Sequence, residues 1–551
     1  MKRDLVLLSF ALVLCVAILS SPDGAARDYY ISPAGDDHNP GTSPSNAWQT
    51  ISKVNSWDFK PGDRILFQGG QTLAGNLVFT AKDAGTSRNP VTVGSYGERR
   101  ATIRAGNGTG ILVENAGGFS VRDLVVVGED RITNKGSGIW IANRLPGAVK
   151  LDYVRIDNVD VSRFGSCGIL VGGDPADGSK SGFNDVRITR AVAHDNAYFG
   201  IYITGKWDPA ATAYANTNVY IGHCQVYDNP GDPKYLENHS GNGILLEDVE
   251  GGMIERSVAY NNGWLCNCPA GGPVGIWSGV ANRVTIQYCE SYNNRTGQSV
   301  DGGGFDFDGG VTNSVMQYNY SHGNNGAGYL LYTYKGSPQT FRNNVLRYCI
   351  SENDGRRHGY AGIFVGNDGS GVSDLEIYHN TVYISPAADG GVPKVVLVYG
   401  TTNVHFRNNI FLTAGGVPLV EARAEQKGLV FQGNDYWPSP GRGGTFCIKW
   451  AGASFGSLDA WRAATGQEKN GTANTGLSVD PQLADSGKGV IIGNPDLLNA
   501  LAAYKLLPGS PMIGAGLDLR RLFRIDPGPN DFYGTTLAQT GATAIGAHQG
   551  H

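Results

Sequence analysis

The chain has no basic excess. Its 551 residues carry 44 Lys and Arg against 49 Asp and Glu, a formal net charge of −5 at pH 7. Nucleic-acid partners usually face a basic stripe, and this balance argues against one. Long apolar runs are scarce as well. One stretch, Leu5 to Leu19, follows Lys2 and Arg3 and precedes Gly24-Ala25-Ala26. It is short for a membrane span, and no second run of spanning length follows. Residues 1–26 are expected to be an export signal, leaving a soluble secreted protein (extracellular or periplasmic), without stable membrane insertion and monomeric. Cysteine is sparse, with eight in all. Cys224, Cys289 and Cys349 fall where a small inward residue fits, so they are expected in the core. Cys266 and Cys268 lie in a loop, and two cysteines alone do not make a zinc site. Whether they are bonded to each other is left open.

What the chain has is glycine, 80 residues of it, and a phrase that returns. It reads GILV at Gly110, GIWI at Gly138, GILV at Gly168, GIYI at Gly200 and GILL at Gly243. It continues as GIWS at Gly275, GFDF at Gly304, GYLL at Gly328 and GIFV at Gly362. A second strand-like run and a polar turn (HDN, YDN, YNN) follow many copies. Short self-similar units of this kind stack into a solenoid, which must be read by columns. The residue after the glycine and the one two further on are expected inward, as at Ile111 and Val113, or Phe305 and Phe307; the third and fifth positions then face out. Asn196, Asn229, Asn262, Asn294 and Asn324 form one turn column, expected to be a hydrogen-bonded ladder.

The expected organisation is residues 1–26 as signal, 27–101 as N-terminal cap and irregular coils, 102–437 as regular solenoid, and 438–551 as C-terminal cap folding back on the last coils. Ser457 is the expected N-cap of a helix at SLDAWRAATGQE. Loops at about 172–185, 205–217, 229–241 and 264–274 lengthen some repeats and are expected to wall one side of a groove.

The entry segment YYISPAGDDHNPGT, the GI-x-V coils with their asparagine turns and the closing YKLLPGSPMIGAG resemble the secreted bacterial members of the pectin-lyase-like superfamily. That resemblance implies an all-β, single-stranded right-handed parallel β-helix over nearly the whole mature chain. It does not fix the activity, since the superfamily includes lyases, glycoside hydrolases, epimerases and non-catalytic proteins. The galacturonase-type series NTD…DD…GHG…RIK is absent, so none of its residues carries over.

Column reading isolates one acidic coil. Outward third positions run Trp140, Leu170, Tyr202, Leu245, Trp277, Asp306, Leu330, Phe364; fifth positions run Ala142, Gly172, Thr204, Glu247, Gly279, Asp308, Tyr332, Gly366. Asp306 and Asp308 share a face, and Glu247 lies two coils from Asp308, about 9.6 Å by strand spacing. Carboxyls about 6.5–9.5 Å apart suit inverting glycoside hydrolysis. Trp140, Tyr202, Trp277 and Tyr332 are candidate sugar platforms. His322 and Lys335 are candidate basic groups, with Lys206 and the Arg356–His358 cluster beside them. The first expectation is a polysaccharide-active glycoside hydrolase with Asp306, Asp308 and Glu247 as acid and base, needing no cofactor. The alternative is a Ca²⁺-dependent lyase or uronate epimerase, with those three as metal ligands and Lys335 or His322 as base. The third is a non-catalytic carbohydrate-binding or surface-structural solenoid.

Overall fold

The protein is described here by a computed structural model covering residues 26–338, 340–388 and 390–550. The expected signal lies outside the described residues except for Ala26. The chain is a parallel β-solenoid with three faces. Parallel pairing begins earlier than expected, with Asp28–Ile31 against Arg64–Gln68, and runs to Ile448–Trp450.

Each repeat glycine opens a strand of the first face. A Cβ at Gly304 would collide with the Ser321 hydroxyl, so the two walls close only over glycine. Ile139, Ile169, Ile201, Ile244, Ile276 and Phe305 stack inward, all fully buried, as the period-two pattern requires. The run after each glycine strand is not one strand but two, on separate faces. Between them the backbone turns at Arg190, His223, Arg256, Tyr288, Tyr318 and Tyr348, each at φ between 48° and 57°. The longest strands, Asn242–Glu255 and Val274–Gln287, bend from first face to second at Asp248 (φ 59°) and Val280 (φ 46°).

The asparagine ladder forms. Asn196 Nδ2 donates to Asn229 (3.2 Å), and the chain continues through Asn262 (2.9 Å), Asn294 (3.0 Å) and Asn324 (3.0 Å) to Asp354 (2.8 Å). All are fully buried, so each amide is satisfied by its neighbour rather than by water. Cys224, Cys289 and Cys349 are buried at the other turn, and Cys266 and Cys268 are buried and unbonded.

The third face is a 13-stranded sheet. Its outward column stacks His194, Tyr227, Tyr260, Tyr292 and His322 with ring centroids 4.9–5.0 Å apart. The C-terminal segment does not stay on the last coils. It runs back along this face as a strap. Arg442 Nη1 donates to the Ser486 carbonyl (2.5 Å) and Gly489 N to Glu352 (2.9 Å). Ile492 and Gly493 donate their N–H groups to Glu290 (2.8 and 2.6 Å), and Asp496 pairs with Arg256 (2.7 Å). Leu501, Tyr504 and Met512 then bury in one apolar cluster with the turn tyrosines Tyr318 and Tyr348 and with Tyr378. Helix Leu458–Thr465 starts at Ser457, whose side chain accepts from Ala460 N.

Candidate active site

The outward columns of the first face stack in the expected register: Trp140 beside Leu170, Tyr202, Leu245, Trp277, Asp306 and Leu330 in turn. This strip is not an open groove at its centre. Loops at 173–182 and 205–215 leave the first-face strands, and loops at 229–241 and 264–273 lead into them, so both edges are walled rather than one. Leu245 and Trp277 bury with Phe199 and Val274 on one side of Asp306, and Leu330, Phe364 and Leu397 bury on the other.

Asp306 therefore sits between two apolar clusters. It is 3 % exposed, its Oδ1 has no hydrogen-bond partner, and the indole N–H of neighbouring Trp277 has none either. Burial, then the charges of Asp308 and Asp301, push its carboxyl well above the usual range. Asp308, partly exposed, is pushed up to about 7 by burial and by the Asp301 and Glu247 charges, against one donated bond from Gly309 N (2.8 Å). No cation is among the groups that set either shift.

Glu247 faces Asp308 across Gly279. A side chain there would meet only the edge of Trp277 at 3.9 Å, so the space between the two carboxyls is open. Tyr202 Oη (2.5 Å) and Thr204 Oγ1 (2.8 Å) both donate to Glu247 Oε2, which favours its charged form, while burial raises its pKa. Tyr202 and Thr204 in turn line a cavity of about 390 Å³ with Trp140, Leu170, Lys206 and Trp207. This cavity continues the acidic cleft along the solenoid axis. Arg144 stacks over the Trp140 ring at 4.8 Å.

Three residues missed by column reading join the cluster. Asp301, at φ 59°, accepts from Tyr360 Oη, and burial raises its carboxyl. Tyr334 lies in the field of Asp308, Glu247 and Asp306, which with burial raise its phenol. His239 comes from the 229–241 loop and packs on Trp277 (centroids 5.3 Å) and Phe199 (6.1 Å). Burial lowers its pKa to about 4, and Asn242 Nδ2 bonds its Nδ1 at 2.9 Å, leaving Nε2 as an N–H donor. None of the three sits at a third or fifth strand position, so only the fold could place them.

Other expectations need correction. His322 is on the third face, stacked on Tyr292 and Tyr320 and 3.0 Å from Glu290, away from the carboxyls. The turn after each second-face strand sends the following run to another sheet. Lys335 is exposed on a turn. Tyr332 is half-buried and donates to Asp368. Lys206 pairs with Asp174 (2.7 Å). Lys180 pairs with Asp248 (2.7 Å), pinning the 205–215 loop through Ala215 N (3.0 Å). Arg356 and Arg357 spend their donors on backbone carbonyls of neighbouring loops. Among the described residues no group of three His, Cys, Asp or Glu side chains could hold a metal ion. Glu247 turns to two hydroxyls and Asp306 is sunk among apolar chains, so the calcium ligand set does not form.

A family model for the right-handed β-helix region matches residues 147–346 and 215–411. The fold of the chain is a parallel β-helix, and residues 147–411 match the right-handed type. This β-helix is 25 % identical over 502 residues to a lacto-N-biosidase of Bifidobacterium longum subsp. longum, covering 73 % of the chain and 30 % of that relative. It thus spans under a third of the relative's length. A solved GH136 lacto-N-biosidase from Eubacterium ramulus superposes on the β-helix with TM-score 0.52, at 16 % identity, over 73 % of this chain and 68 % of that one. XylC in complex with xylose superposes with TM-score 0.50, at 11 % identity, over 95 % and 98 %. At these identities the two structures speak to the fold.

Proposed function

We propose that the first-face cleft hydrolyses a glycosidic bond in an exported protein. Asp308, with a pKa near 7, delivers the proton to the leaving oxygen. Glu247, held by Tyr202 and Thr204, takes the complementary carboxylate role, and the sugar lies over Gly279. The observation that carries this is the pair itself: a proton-loaded carboxyl facing a donor-held one across an open gap between aromatic walls. The lacto-N-biosidase relative supports the same reaction class. The substrate is a neutral glycan. Asp301, Asp306, Asp308 and Glu247 crowd one cleft, and the nearby Lys180, Lys206 and Arg357 are all engaged elsewhere. A uronate carboxylate would lie among four acids, with the Lys180 charge acting on Glu247 from its pair with Asp248.

The test is product analysis of residues 27–551 on neutral and uronate glycans, reading reducing ends and unsaturated-uronate absorbance together. New reducing ends on neutral substrates without absorbance, lost in Asp308→Asn and Glu247→Gln and unaffected by EDTA, is the expected result. Absorbance rising with reducing ends makes the protein a lyase and overturns the assignment. Retention of glycan without products makes it a binder.

A further inference from the structure

The second face carries a different kind of site. Outward positions of three successive coils there are Ser120, Arg155 and Arg187, in register, with Arg122 and Arg190 alongside. Together they border a shallow cavity of about 530 Å³. Successive coils stand about 4.8 Å apart, so the guanidinium groups form a row along the solenoid axis.

Two of these four arginines are already committed. Arg155 bonds Asp185 (2.5 Å) and the Asp185 carbonyl (2.6 Å), and Arg190 bonds Asp157. The other two are not. Arg187 reaches Asp185 only through Nε (3.2 Å), and Arg122 is 3.7 Å from Asp123. Both side chains are about half exposed, at 51 % and 48 %, and each meets its aspartate through Nε rather than through the terminal nitrogens. A planar fork with free donors matches a carboxylate or sulfate oxygen pair. The Tyr220 ring follows Arg187 in the same column, 5.8 Å from its guanidinium, and offers an apolar surface for a sugar ring. The neighbouring first face is acidic and apolar, whereas this cavity is lined by four arginines with Asp157 among them.

We propose that this arginine row is a second, non-catalytic binding face for anionic polysaccharide, gripping carboxylate or sulfate groups through Arg122 and Arg187. It would tether the protein to an acidic matrix while the first-face cleft works on neutral chains.

Affinity electrophoresis of residues 27–551 in gels containing polygalacturonate, chondroitin sulfate or dextran tests this. Retardation by one or both anionic polymers and not by dextran is expected, and the polymer that retards more identifies carboxylate or sulfate as the preferred group. Retardation should vanish in about 0.5 M NaCl, where screening is strong. Arg122→Glu/Arg187→Glu should weaken binding by about tenfold or more, equivalent to about 1.4 kcal/mol, while Asp308→Asn retains it. The milder Arg122→Gln/Arg187→Gln pair, checked by circular dichroism, separates lost binding from lost folding. Equal mobility in all three gels, or a folded glutamine variant that binds like the parent, overturns the proposal.

Discussion

Replacing Asp308 with Asn should make the protein more stable and inactive at once. In an unfolded chain this carboxyl titrates at its ordinary 3.8, whereas in the cleft it is held at about 7. The folded state therefore binds the proton more tightly, by an upper limit of about 4 kcal/mol. Asp308 is partly reachable by water, and halving for screening leaves about 2 kcal/mol. The sign follows directly. Below pH 3.8 both states are protonated and this stabilising effect is fully present; between 3.8 and 7 the unfolded chain ionises while the folded acid stays protonated, so the effect is lost progressively and is gone once pH has risen through 7. Asparagine cannot ionise, so the variant keeps what the parent loses. For a chain of this size about 2 kcal/mol corresponds to about 2 °C in Tm. Tm of parent and Asp308→Asn, scanned at one rate from pH 4 to pH 8.5, should coincide at the acid end, separate steadily as pH rises toward 7 and keep a constant gap above it, with the variant higher. Hydrolysis should fall by about 10²–10⁴-fold. Parallel Tm curves across the range would refute the assignment of Asp308 as a desolvated, proton-holding acid.

Gly279→Val fills open space on a strand, so Tm should hold within about 1 °C while activity falls by at least about tenfold; a fully active valine variant would show that nothing lies over the gap. Tyr202→Phe removes a donor that lowers the Glu247 pKa, so the acidic limb of the pH–rate profile should move upward with only a modest loss at its plateau. Asn262→Val breaks the ladder, leaving the Asn229 amide without its acceptor. It should cost about 2–4 kcal/mol in denaturant titration. Glu290→Ala with Glu352→Ala releases three backbone N–H groups of the strap, and limited proteolysis should then cut near residues 487–497 before the solenoid is touched.

The solenoid was legible because its columns obey simple rules. Glycine stands where two walls touch, branched chains alternate inward, and asparagine stacks on asparagine. The third face was hidden because its turns break the usual code. Left-handed backbone is normally announced by Gly or Asn, yet here Arg190, His223 and Tyr318 adopt it, held by the N–H bonds they donate to carbonyls of the next coil. Reading straight through them kept His322 with the acids instead of on another sheet. Asp306, Asp308, Glu247, Trp277 and Tyr202 were found because they occupy strand positions, where register transfers from coil to coil. Asp301, His239 and Tyr334 come from segments with no period, and only the folded loops bring them in. The strap was equally invisible, since it binds mostly through its backbone N–H groups, and any residue but proline supplies one.

That strap alters how the molecule comes apart. A bare solenoid is a one-dimensional stack in which each coil feels only its neighbours, so it can fray or melt piecemeal. Here one segment near the C-terminus touches coils from Tyr383, which Gly487 packs on, back through Glu352, Glu290 and Arg256 to His223. Those coils become a single melting unit that includes the acidic cleft, while the coils before it are tied by their strands and by side-chain bonds such as Lys150 to the Ala215 carbonyl. The same closure joins the earliest and latest parts of that unit over about 270 residues of chain, the slow kind of contact in folding. Until synthesis passes Asp496, Glu290 and Glu352 lack the backbone N–H partners that the strap brings to the third face.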